Sequence, residues 1–299
     1  MRFVVIFLSI VFLQPSSLVF AIDKAQSTPS SKTGSTPAVL SGNSGIVLVG
    51  EKTQGSLLVG KVTPGAKVFL DNAPLKVAEN GVVVFGFGRD ADLDHKLKVI
   101  TPSGHSHIET ITLTKREYKI QRVNGISKKI MNPNKKNQER SRSDAALVGA
   151  ARKTDSTRQD FLAGFVQPVK GPVTGVYGSQ RFYNGVPKRP HFGIDYAAPV
   201  GTPVIAPAPG VVTLVHDDMF YSGGTLLVDH GYGVSSTFIH LSKILVEEGQ
   251  EIKQGDIIAE VGKSGRATGA HLDWRINWYN VRLDPGLVMK AMPTPLDFD

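Results

Sequence analysis

Between residues 271 and 277 the chain alternates strictly between polar and apolar side chains, and a period of two does not suit an amphipathic helix. Read as a strand, the stretch buries Leu272, Trp274 and Ile276 and presents His271, Asp273, Arg275 and Asn277 on the opposite face. The same pattern recurs elsewhere. In the first half, alternating runs at 66–70 and 108–113 lie among turn clusters at Thr63-Pro64-Gly65, Asp71-Asn72-Ala73-Pro74, Asn80-Gly81 and Pro102-Ser103-Gly104. In the second half, apolar runs at 211–215, 224–228, 234–239 and 257–261 sit between turns marked by Gly249, Gly255, Gly262 and Gly265. The expectation is an all-β chain. A small N-terminal β-sandwich takes residues 45–122, and a glycine-rich antiparallel β-sandwich or open barrel with almost no helix takes residues 165–299.

The chemistry-bearing residues fall on this strand pattern. His191-Phe192-Gly193-Ile194-Asp195 follows Pro190 and precedes Pro199 and Pro203, a density of Pro and Gly that argues for extended chain. Residues 191, 193 and 195 then face one way, with Gly193 leaving space between an imidazole and a carboxylate, an arrangement suited to a divalent metal. His240 ends the apolar run Thr237-Phe238-Ile239. Three strands can thus bring three histidines and two aspartates to one place. The chain has no cysteine, so any metal must be held by His and carboxylate.

The ordered set His191-x-x-x-Asp195, Phe238-Ile239-His240-Leu241 and Thr268-Gly269-Ala270-His271-Leu272-Asp273 resembles the motifs of the LytM/lysostaphin-type zinc metallopeptidases, peptidoglycan endopeptidases with a glycine-rich β fold. The likeness covers about residues 165 to 285. It implies one zinc ion, with His191 and Asp195 as ligands. It implies catalytic roles for His240 and His271, which in that family orient and deprotonate the metal's water and stabilise the oxyanion formed at an amide carbonyl. One position departs from the family pattern: Asp273 stands where the family has the second His of His-x-His. Carboxylate is an acceptable ligand, so His191, Asp195 and Asp273 still make a three-ligand set with an open fourth position. A second anionic ligand, however, weakens the ion as a Lewis acid and loosens the preference for zinc over manganese.

The rest of the chain supplies context. Residues 1–21 combine Arg2, an apolar run from Phe3 to Leu13 and Val19-Phe20-Ala21, the pattern of a secretory signal peptide. Residues 22–44, rich in Ser, Thr, Pro and Gly, predict a disordered linker. Export, a place in the periplasm or cell envelope, and no stable membrane span after signal cleavage follow. They make nucleic acid an improbable partner for the net charge of +8 and point it toward anionic wall polymers or membrane surfaces. The connector at 123–164 concentrates that charge; its stretch 139–152 predicts a helix with a solvated basic face. Five further histidines, His95, His105, His107, His216 and His230, match no key motif position, although His230 has the option of supporting the site. Tyr196, Arg275 and Asn277 are expected on a solvated rim. Two functions stay open. One is an exported zinc endopeptidase cutting peptide cross-links of peptidoglycan. The other is a catalytically inactive relative that binds cell wall or activates another wall hydrolase.

Overall fold

A computed structural model describes residues 39–41, 45–125 and 134–298. The expected signal peptide lies outside the described residues, and of the expected linker only residues 39–41 are described. The first third holds strands β1 (Val39–Ser41), β2 (Ile46–Val49), β3 (Leu57–Val62), β4 (Lys67–Leu70), β5 (Ala73–Leu75), β6 (Val82–Gly86), β7 (Asp94–Ile100) and β8 (Ser106–Thr112). They form two four-stranded antiparallel sheets, β1-β2-β3-β6 and β5-β4-β7-β8. The sheets pack through Leu48, Leu58, Phe85, Leu97, Val99 and Ile111, the sandwich that the alternating runs predict. Strands β3 and β6 are buried on both faces. Their other side, carrying Leu57, Val59, Val82 and Val84, joins the core of the second half.

Strand β9 (Ile120–Val123) leaves the sandwich and pairs in parallel with β11 (Gln180–Tyr183). The connector then forms helix α1 (Lys135–Ala151), capped by Asn134, whose side chain accepts from the Asn137 N–H. Its own residues are exposed or half-buried, as a basic solvated helix should be, but Arg152 directly after it is buried.

The second half is built on an eight-stranded antiparallel sheet. Its strands are β10 (Val173–Gly175), β13 (Ile194–Ala197), β15 (Gly210–Met219), β16 (Gly223–Gly231), β17 (Val234–Leu241), β19 (Glu251–Ile252), β21 (His271–Trp278) and β22 (Val281–Leu283), in the order β10-β13-β21-β17-β16-β15-β19 with β22 on β21. A small sheet of β14 (Pro203–Ile205), β18 (Lys243–Ile244) and β20 (Ile257–Glu260) packs beside it, and β12 (Val186–Pro187) extends β11. The expectation of almost no helix is met except for a 3₁₀ turn at Asp160–Ala163 and helix α2 (Pro285–Ala291), which starts where Asp284 accepts from the Gly286 N–H and Pro285 presets the first turn. No helix among the described residues is long and apolar enough to cross a membrane.

Candidate metal centre and its histidine pair

Sheet register assembles the site. Strand β21 lies between β13 and β17, so Asp195 pairs with Asp273 on one side while Ile239 pairs with Asp273 on the other. His191 enters just before β13, and His240 follows Ile239 where the chain turns. His240 has a left-handed backbone (φ 66°), a conformation costing about 1 kcal/mol in a residue with a Cβ. The surroundings hold it there: its N–H bonds the Ser222 carbonyl and its Nδ1 lies 2.9 Å from the Ser264 carbonyl.

His191, Asp195 and Asp273 converge, each offering a ligand atom within 4.8 Å of the other two. His191 Nε2 and Asp195 Oδ1 are 3.2 Å apart, yet they are not aligned as donor and acceptor, and both atoms are buried without a hydrogen-bond partner. Two buried, unpartnered atoms facing each other are what a shared cation would satisfy. Glycines make the room. A Cβ on Gly193 would collide with Asp273 Oδ1, and one on Gly175 with Asp195 Oδ2. The space foreseen at Gly193 is therefore filled by a carboxylate from the neighbouring strand.

Asp273 is almost fully buried and bound by Arg275, whose Nε and Nη2 donate to its two oxygens at 2.9 and 2.5 Å. Burial alone would favour the protonated acid. The Arg275 guanidinium outweighs it and holds the carboxyl well below the usual range, so Asp273 stays an anion able to ligate. For His191, burial opposes the charged form, but Asp195 and Asp273 outweigh it and raise its pKa. A divalent ion would compete with that proton. The donor set of one imidazole and two carboxylates, with its orphaned atoms and glycine-cleared space, fits a divalent cation.

His240 and His271 lie side by side, ring centroids 4.8 Å apart. His240 is buried and its pKa lowered by burial, so it is neutral at ordinary pH. In each ring Nδ1 sits 2.9 Å from a backbone carbonyl, that of Ser264 or Gly269. A carbonyl only accepts, so Nδ1 carries the hydrogen and Nε2 keeps its lone pair.

The remaining candidates separate clearly. Arg275 is no solvated rim residue but the partner of Asp273, two positions away on the same face, a signal that was present in the alternation. Tyr196 and Asn277 are likewise buried instead of rimming the site. On the polar face of β21, Asp273 and Asn277 are buried and His271 and Arg275 half-buried. His230 is fully buried beneath the sheet, its Nδ1 2.6 Å from the Pro209 carbonyl and its Nε2 2.8 Å from Ser236 Oγ, which also accepts from Trp274 Nε1. His216 accepts from the Asp218 N–H, and His105 pairs locally with Ser103. Sequence reasoning missed Arg152, Arg189 and Arg282, which surround a cavity next to Arg275. Isolated arginines in three segments carry no pattern that would have joined them.

Comparison with known proteins agrees with the motifs. The profile of peptidase family M23 matches residues 189–285, a span that includes His191, Asp195, His240, His271 and Asp273. Over 102 residues the chain is 40% identical to the peptidoglycan DD-endopeptidase ShyA of Vibrio cholerae, covering 34% of this chain and 23% of that protein. Over 107 residues it is 41% identical to the DD-carboxypeptidase/endopeptidase Mpg of Neisseria meningitidis, covering 36% and 24%. The chain thus spans about a quarter of the length of these relatives. A crystal structure of a peptidase M23 protein from Pseudomonas aeruginosa superposes with a TM-score of 0.64 at 29% identity, over 82% of this chain and 97% of that one.

Proposed function

We propose, from the match of residues 189–285 to peptidase family M23, that the chain is an exported zinc endopeptidase of the cell envelope that hydrolyses peptide cross-links of peptidoglycan. The observation that carries the reading is the pair of buried, unpartnered atoms, His191 Nε2 and Asp195 Oδ1, converging with Asp273 beside two imidazoles. The names of the matched relatives supply the substrate class.

His191, Asp195 and Asp273 would hold the ion, which when bound supplies Lewis acidity toward an amide carbonyl and toward water. His240 and His271 each keep Nε2 free to accept a proton, since Nδ1 is committed to a backbone carbonyl. Once protonated, either ring becomes a donor to the oxygen of a tetrahedral carbon or to the departing amine. Arg275 answers the concern raised by a second carboxylate. Its charge offsets that of Asp273, so ligands and ion together stay net positive, as with a His ligand at this position.

One observation favours the second reading: both oxygens of Asp273 already accept from Arg275, which satisfies the carboxylate without an ion. A wall-binding protein without catalysis, or an activator of another hydrolase, would then hold metal poorly. Zinc content and cleavage of purified peptidoglycan, measured on the wild type and on Asp273→Ala, decide between them. The endopeptidase loses both on substitution. A metal-free, inactive wild type that binds the wall equally well after Asp273→Ala overturns the proposal.

A further inference from the structure

Beside the metal cluster, between helix α1 and the sheet, lies a cavity of about 350 Å³ on whose walls four arginines meet: Arg152, Arg189, Arg275 and Arg282. They come from different segments, the end of the connector helix, the loop before β13, and the adjacent strands β21 and β22. One carboxylate, Asp144 of α1, shares the lining, and it already accepts from the Phe220 N–H. Arg275 is neutralised by Asp273. Arg152, Arg189 and Arg282 have no salt-bridge partner among the described residues.

Burial makes that absence costly. Arg152 is 7% exposed; its Nη2 donates to Thr237 Oγ1 at 3.1 Å, but its Nε is buried without a partner. Arg282 Nη1 is buried and unpartnered too. Burial first, then the charges of Arg282, Arg275 and Arg189, all disfavour the charged form of Arg152, while guanidinium resists deprotonation in proteins. Like charges gathered with unused donors are stable only if something else justifies the cost, and an anion in the cavity would relieve the repulsion and offer an acceptor to the guanidiniums that line it.

We propose that this cavity is a carboxylate-binding subsite, in which Arg152 and Arg282, with Arg189 at the mouth, grip a free carboxylate of the peptide substrate beside the cleavage centre. The proposal rests on the endopeptidase reading for the identity of the ligand. A peptide carboxylate fits better than a phosphate polymer because the apolar lining of Val148, Met219 and Ile239 suits a small aliphatic side chain next to the charge. Arg275 shows the geometry at hand, already holding one carboxylate through two donors. Arg152 lies outside residues 189–285, so the connector would complete a site that the M23 domain leaves unfinished.

The test is binding, read independently of cleavage. N-acetyl-D-alanyl-D-alanine, its C-terminal amide and inorganic phosphate are titrated into chelator-treated full-length protein at low salt, with affinity followed by NMR. The acid should bind about tenfold more tightly than the amide, and Arg282→Gln and Arg189→Gln should each erase much of that preference while leaving the amide's affinity unchanged. Arg152→Met should do the same, with thermal unfolding to establish that α1 stays docked. Equal binding of acid and amide, or a preference untouched by Arg282→Gln, overturns the subsite. So does phosphate binding as tightly as the acid, which would reveal a general anion site. Acid preference in a protein that never cleaves peptidoglycan would support the subsite while overturning the endopeptidase reading; cleavage without acid preference would do the reverse.

Discussion

The two β regions differ in where buried polar atoms are left without a partner. In the N-terminal sandwich the buried polar residues Thr53, Gln54 and Ser56 all bond the backbone, to the carbonyls of Thr114, Ala91 and Thr53 respectively. Among the described residues, every buried side-chain atom without a partner lies beyond the sandwich, Arg152 in the connector and His191, Asp195, Ser235, Asn277 and Arg282 in the second β region. Four of these six line the candidate metal site or the arginine cavity. Leaving a buried group unpaired costs about 1–3 kcal/mol, so these four are places where a ligand would relieve a cost.

Substitution can break that contrast at its strongest point. His191→Ala with Asp195→Ala should abolish metal retention and reduce peptidoglycan cleavage to background while circular dichroism stays unchanged, since the β core rests on Leu272, Trp274 and Ile276. The same double change at His105 and His107, in the sandwich, should leave metal content and cleavage alone. Next in size, His240→Ala should slow cleavage by roughly 10²-fold or more with metal content retained, because general acid–base groups contribute on that scale. Metal loss in that variant would make His240 a ligand.

The charge pairs sharpen the comparison. Arg275→Met strands the Asp273 carboxylate, only 4% exposed, and should cost roughly 3–5 kcal/mol in denaturant unfolding. In the sandwich, Lys52 pairs with Glu109, each 26% exposed, and Lys52→Ala should cost under about 1 kcal/mol. Acid provides a gentler probe. Burial drives the His230 pKa down to about 4, below its unfolded value near 6.5, so the folded state favours the neutral ring. The stability this contributes is complete above pH 6.5 and is lost as pH falls toward 4, a decline on the order of 3 kcal/mol at most. Replacing His230 with Gln should flatten that part of the stability–pH curve; an unchanged slope would mean other groups set it.

Much of this site was legible because strand periodicity is local. The alternation at 271–277 places Asp273 and Arg275 on one face, and the spacing of His191 and Asp195 puts two donors together before any fold is known. What the sequence hid depends on register and on long-range packing. Nothing near Asp273 in the chain says that Gly193 clears its space, and nothing in the connector says that Arg152 ends beneath a sheet. The rim expected at Tyr196 and Asn277 failed for the same reason: alternation distinguishes two faces of a strand but not whether a second layer covers the polar one.

Strands β3 and β6 have no solvent-facing side, because the sandwich claims one face and Leu57, Val59, Val82 and Val84 give the other to the second half of the chain. The sandwich therefore acts as a shared wall between two rooms. Excising it would leave the second half with an open hydrophobic face, a surface prone to self-association. Moving residues 165–299 onto another neighbour would require that neighbour to bring its own wall.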